Sequence, residues 1–347
     1  MMDVRLSPEQ QALRDSAARL VDQCGPHAVR ALGDPERAAK LDAAVTDSGW
    51  RELRTATDGA APPASGVEAA IVAEELGRGL ADVSFFGPTM ASELRRMAGA
   101  PPSTEVETVA LTADLQSIAS AEEGEASAIV AIDAQGSRRS ILLVPRPKGY
   151  GLAHVALRSA RVGVDLTRPS AMIDGSLAAE PIAMGNPMIS ADDLQRWTAL
   201  GLSLSCADLV GTMCGAVQLA TAYATQRRQY DVAIGSFQAI QHLLADAYVL
   251  SEGARSAALH AAWAVDALSP ADALAAAAMA KAYCARAART VCETSIQVHG
   301  GVGNTWECLA HVHLRRALLS CDLLGDAGVS LTRVLQHKGI GGSDGLR

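Results

Sequence analysis

A chain of 347 residues that is 49% hydrophobic and 20% charged has the composition of a globular protein with room for two or three domains, which excludes disorder as the default reading. Its net charge of −8 is not gathered into one block and no basic stripe interleaved with aromatics runs along it, so nucleic-acid binding is not expected. No uninterrupted apolar run reaches the roughly 20 residues that span a bilayer, and Asp3, Arg5, Glu9, Arg14 and Asp15 make the start unlike an export signal, so the expectation is a cytoplasmic protein with no membrane partner.

From Ser7 to about Gly99 the pattern is helical. Ser7-Pro8-Glu9 supplies an N-cap, a proline tolerated in the first turn and an acid near the positive helix end, and Leu13, Ala17, Leu20, Val21 and Cys24 then recur on one face. A second helix is expected to begin near Gly66 after a linker from Gly59 to Ser65. Between Pro102 and Pro187 the texture changes to short β-compatible runs, such as Ala128 to Ile132 and Ser140 to Val144, with Ser120 to Ser127 reading as a polar loop. Beyond Ser190, apolar residues return at three- and four-residue spacing over 190–226, 238–267, 270–298 and 306–336, which predicts a four-helix bundle. Ser269-Pro270-Ala271-Asp272 and Gly300-Gly301 bracket the third of these helices, and alanine runs such as 275–278 suit close packing or an interface. The domains are therefore drawn at 1–103, 104–188 and 189–347.

The seven cysteines show no Cys-x-x-Cys spacing, so they read mostly as small buried hydrophobes rather than as a disulfide framework or a zinc site. His311 and His313 on one helix point to different faces, so no metal is expected there.

Two blocks carry the chemistry. One is Arg227-Arg228-Gln229-Tyr230-Asp231-Val232-Ala233-Ile234, followed by Phe237 to His242; the other is Gln297-Val298-His299-Gly300-Gly301-Val302-Gly303-Asn304-Thr305-Trp306-Glu307. A fixed guanidinium suits a diphosphate, glycines let a backbone come near a ligand, and a glutamine carries both donor and acceptor for an adenine edge or a ribose hydroxyl. Taken alone, Gly300-Gly301 reads as a helix C-cap, and Arg228 and Arg255 read as solvated helix faces.

Together these blocks resemble the carboxy-terminal half of acyl-CoA dehydrogenases, whose domain order is also helical, β, then bundle. The resemblance implies a mostly α fold with a central β module and FAD at a subunit interface. It also implies that Arg227, Gln238, Gln297, Gly300 and Gly301 reach the nucleotide end of a neighbouring subunit's site. Tyr230-Asp231 stands where the family has Phe-Gly. Arg315-Arg316 stands where it has Arg-Asp, which marks Arg315 as the structural member and Arg316 as the departure.

The family reaction needs a glutamate to take the α-proton of an acyl thioester while the β-hydrogen moves as hydride. Counting along the resemblance, the two slots for that base fall on Leu324, before Gly325, and on Gly201; neither can accept a proton. The β region lacks the family's Thr-Glu-Pro and Gly-Ser-Asp segments, while Val144-Pro145, Gly149 and Asp165-Leu166-Thr167-Arg168 resemble its later strands in actinobacterial members. Those bacteria contain two-subunit acyl-CoA dehydrogenases, and this chain resembles their shorter, accessory subunit. The implied partners are a homologous catalytic subunit, an acyl-CoA, often a bulky steroid-derived or branched one, and an electron-transfer flavoprotein. The alternatives are a self-sufficient enzyme whose base has moved to Glu307 or Asp322, and a scaffold that has lost its cofactor.

Overall fold

The computed structural model describes residues 5–56, 60–121, 129–158, 160–173, 179–183 and 188–340; Gly59, the polar stretch 122–127 and Ala128 lie outside them. The amino-terminal region holds α1 (Pro8–Cys24), α2 (Pro35–Asp47), α3 (Gly66–Arg78) and α4 (Phe86–Met97). Ser7 and Gln10 form a capping box at α1, Asp34 accepts from the amides of Glu36 and Arg37 at α2, and Ser65 and Glu68 box the start of α3. Helix α4 has no such local cap. Its first amides, of Phe85 and Gly87, instead donate to Asp133 Oδ2 of the β module at 2.8 and 3.1 Å, a carboxylate placed at the positive helix end from another part of the chain.

The β module is a six-stranded sheet of β1 (Glu107–Thr112), β2 (Ile129–Ala131), β3 (Arg139–Arg146), β4 (Gly149–Ala156), β5 (Ala171–Ile173) and β6 (Glu180–Pro181), in the order β5-β2-β1-β3-β4-β6. β1 and β3 pair in parallel, and β3 and β4 form a hairpin in register from Arg139 opposite Ala156 to Arg146 opposite Gly149. Side chains alternate across the sheet, so Ile141, Leu143 and Leu152 enter the main core, while Leu142, Ala153 and Val155 join Ala110 and Ala131 in a smaller one.

The carboxy-terminal bundle comprises α5 (Ala191–Gln226), α6 (Gln238–Ala267), α7 (Pro270–His299), α8 (Ala310–Asp322) and α9 (Ala327–His337). Helix α5 is long and apolar enough to cross a bilayer, yet 89% of that stretch is buried inside the protein. It crosses α3 backbone to backbone: a Cβ on Gly211 would stand 1.8 Å from the Glu74 carbonyl oxygen, and one on Gly77 2.5 Å from that of Asp208. Small residues thus set the distance between the amino-terminal helices and the bundle.

Two sequence expectations are corrected here. The segment 306–336 is two helices rather than one, broken at Leu324 (φ +59°) and Gly325 (φ +105°). Both halves pack on α7, so the apolar period runs through the break and periodicity cannot detect it. The corner is held by Lys281 of α7, fully buried, which donates to Ser205 Oγ at 3.0 Å, to the Leu323 carbonyl at 3.0 Å and to the Ser320 carbonyl. Those carbonyls close α8, where a cation is favoured. Arg255 is likewise no solvated face: it pairs with the buried Glu74 of α3 and donates to Cys214 Sγ at 2.9 Å. Arg228 is exposed, as expected, but it lies beyond the end of α5 rather than on a helix face.

Candidate functional site

The segments singled out in the sequence meet at one end of the bundle. Ala220 and Ala224 of α5, Val298 of α7, and Ile234, Ile240 and Leu244 around the start of α6 form a separate apolar cluster there. The Tyr223 ring lies against His299, with centroids 4.5 Å apart, tying the last turn of α5 to the last turn of α7. Between α5 and α6 the chain makes a short hairpin, β7 (Arg228–Gln229) and β8 (Val232–Ala233), closed by Ile234 donating its amide to the Arg227 carbonyl at 2.8 Å.

Arg227, Gln238, Gln297, Gly300 and Gly301 are all exposed around this cluster. Among the described residues, the Arg227 side chain makes no hydrogen bond or ion pair with the rest of the chain. A Cβ on Gly300 or Gly301 would meet nothing within 4 Å, so the backbone there is open to close approach. Gly300 is also the helix C-cap that a local reading predicts: it adopts φ +64°, and its amide is committed to the carbonyls of Gln297 and Ile296. What that glycine offers a ligand is access rather than a free amide.

The two base slots, more than a hundred residues apart in the chain, converge in space. A Cβ on Gly201 would stand 2.2 Å from Leu324 Cδ1 and 2.9 Å from Met90 Cε. Leu324 and Met90 are themselves buried, so the place is filled by packed apolar groups and holds no carboxylate. Where the β module meets the bundle, between Phe85, Phe86, Asp133, Arg168, Leu204, Asp208 and Arg316, the remaining space is about 10 Å³, room for one water at most.

The relocated-base candidates lie elsewhere. Glu307 is exposed before α8, beside Trp306, and Asp322 is exposed at the far end of that helix. The thirteen residues of that helix set its ends roughly 18 Å apart, so the two carboxylates do not share a site. Burial raises the Asp322 carboxyl above its ordinary range, with Lys281 opposing.

The departure assigned to Arg316 is the reverse of what the structure holds. Arg316 is buried and donates to Asp208 Oδ1 through Nε and Nη2 at 2.9 and 2.7 Å, and through Nη1 to the Ala81 carbonyl and Thr167 Oγ1. Arg315 instead stacks outside, its guanidinium 5.9 Å from the Trp306 ring centroid. Asp208 also accepts from Ser320 at 2.6 Å and faces Arg168, which is paired with Asp165 at 2.6 Å. Burial alone would raise the Asp208 carboxyl, but Arg168 and Arg316 outweigh it and hold it below the ordinary range. This network joins α5, α8, the β module and the loop between α3 and α4. Its sequence signal was a lone aspartate inside the apolar run of α5, which periodicity gives no reason to notice. His313, next along α8, is buried and pushed down to about 3, by desolvation first and by Arg316 second. No group of three or more His, Cys, Asp or Glu among the described residues is placed to hold a metal ion.

Comparison with known proteins bears on the family and the fold. Residues 203–337 match the family described as acyl-CoA dehydrogenase, C-terminal domain. The chain is 30% identical over 341 residues to the acyl-CoA dehydrogenase IpdE2 of Mycobacterium tuberculosis, covering 91% of this chain and 93% of that one. In fold it is similar to a chain of the Tcur3481-Tcur3483 steroid ACAD G363A variant (TM-score 0.79, 19% identity, 95% of this chain and 98% of that). It is similar also to a chain of the ChsE4-ChsE5 complex of Mycobacterium tuberculosis (TM-score 0.75, 22% identity, 97% and 99%). With a relative matched along nearly its whole length and the fold shared throughout, the chain belongs to the acyl-CoA dehydrogenase family.

Proposed function

We propose that this chain is the accessory subunit of a heteromeric, flavin-dependent acyl-CoA dehydrogenase, completing the FAD site of a homologous catalytic partner. The observation that carries the reading is the closed contact of Gly201, Leu324 and Met90, which leaves no proton acceptor and no room where the family places its base. The nucleotide end is the opposite case: a guanidinium without partners among the described residues and two unobstructed glycines fit a dinucleotide presented from outside the chain. Arg227 would hold the diphosphate by charge, Gln238 and Gln297 would hydrogen-bond the adenosine portion, and Gly300 and Gly301 would let it lie against the backbone. The flavin, when bound, supplies the hydride acceptor for the β-hydrogen; the carboxylate that takes the α-proton belongs to the partner.

An apolar furrow between α6, α7 and α9, about 400 Å³ and lined by Leu250, Met279, Tyr283 and Leu331 among others, supports an assembled state, because surface of that kind is commonly covered. The substrate class we propose, a bulky steroid-derived or branched acyl-CoA, rests on the likeness in fold to the Tcur3481-Tcur3483 steroid ACAD. Onward transfer of electrons to an electron-transfer flavoprotein is part of the same proposal.

The test is co-expression with a larger homologue. The assembly is expected to hold flavin and oxidise an acyl-CoA, while this chain alone does neither. Arg227→Ala is expected to weaken flavin binding about ten- to a hundredfold, the loss of one charge-assisted contact. Flavin bound in stoichiometric amount and turned over by the isolated chain would overturn the assignment.

A further inference from the structure

The hairpin between α5 and α6 carries a feature that the proposed grip on a diphosphate does not use. Its two-residue turn is Tyr230-Asp231, with φ +52° and +65°. Asn-Gly takes up that geometry freely; tyrosine there is strained. The turn is nevertheless braced. Arg228 Nη1 donates to the Asp231 carbonyl at 2.9 Å, Gln229 Nε2 donates to the Arg228 carbonyl at 2.8 Å, and the Tyr230 ring stands edge-on to Phe237 at 6.3 Å. At this held tip Tyr230 is 89% exposed, and neither its hydroxyl nor the Asp231 carboxylate has a hydrogen-bonding partner among the described residues.

A carboxylate and a diphosphate repel each other, so a tip bearing Asp231 does not face the phosphates that Arg227 would hold. Three residues of extended chain separate Arg227 from the tip by roughly 10 Å, a reach of the order of one nucleotide. The hairpin is thus polarised, with a cation at its base and an acceptor beside an aromatic face at its end. We infer that the Tyr230-Asp231 tip reads the adenosine half of the dinucleotide, Asp231 accepting from the ribose hydroxyls and the Tyr230 ring offering the base a flat apolar face. A ribose diol is a neutral pair of donors, which a free carboxylate suits. The inference rests on the proposed function and adds the specificity determinant to it.

The experiment uses the assembly of this chain with its larger homologue, stripped of flavin and titrated with FAD and with the FAD analogue whose adenosine lacks both ribose hydroxyls. The wild type is expected to prefer FAD by ten- to a hundredfold. Asp231→Gly, which keeps the left-handed backbone comfortable, is expected to abolish that preference, and Tyr230→Ala to weaken both ligands by a similar factor. Equal binding of the two ligands by the wild type, or tighter FAD binding by Asp231→Gly, would overturn the inference while leaving the assembly's flavin site standing. Failure of the wild-type assembly to take up FAD at all would overturn the proposed function together with it.

Discussion

The convergence of Gly201 and Leu324 predicts a change of sign in a mutant cycle. In the interior of α5, alanine in place of glycine gains about 1 kcal/mol of helix propensity. Here the added methyl would stand 2.2 Å from Leu324 Cδ1 and 2.9 Å from Met90 Cε. Leu324 is 1% exposed and Met90 0%, so neither can turn out to solvent, and the overpacking costs about 1–3 kcal/mol. Gly201→Ala is therefore expected to be neutral to destabilising by about 2 kcal/mol. Leu324→Ala removes the nearest atom and by itself costs about 2–5 kcal/mol for the cavity. In that background the Gly201 methyl enters the vacated space, and the same substitution is expected to stabilise by about 1 kcal/mol. Urea unfolding followed by far-UV circular dichroism measures the cycle, using variants that share one m-value. If Gly201→Ala has the same effect in both backgrounds to within about 0.5 kcal/mol, the side chains do not share that space and the spatial coincidence of the two base slots is wrong.

Glu307→Gln and Asp322→Asn are expected to leave turnover of the assembled enzyme within about twofold; a fall of a hundredfold or more in either, the scale of losing a general base, would place the base on this chain. A pH titration of stability tests the buried His313. Its folded value near 3 lies below the ordinary 6.5, so the unfolded chain takes up a proton that the folded chain refuses. The stability it contributes is whole above pH 6.5 and is lost as pH falls from there towards 3, amounting to about 2 kcal/mol at pH 5. His313→Gln should flatten the stability profile between pH 6.5 and 5 relative to wild type, and an unchanged slope would show that His313 is not held neutral.

Periodicity and capping made the long elements legible: Ser7, Ser65 and Ser269 mark helix starts, Gly300 marks a stop, and the β-compatible run Ser140 to Val144 marks a strand. These are local effects, set within a few residues. The residues proposed to grip the nucleotide could be named because each lies in a contiguous motif, although only the fold shows that α5, α6 and α7 bring them to one end of the bundle. Asp133 capping α4, Asp208 binding Arg316 rather than Arg315, Lys281 closing α8 and Arg255 reaching Glu74 all join residues distant in the chain. A charge buried among apolar neighbours is tolerated only where a partner meets it, and the partner is chosen by packing rather than by spacing. For the same reason the sequence alone could say that Gly201 and Leu324 are not bases, whereas their contact, and the absence of room between them, was decided by the tertiary structure.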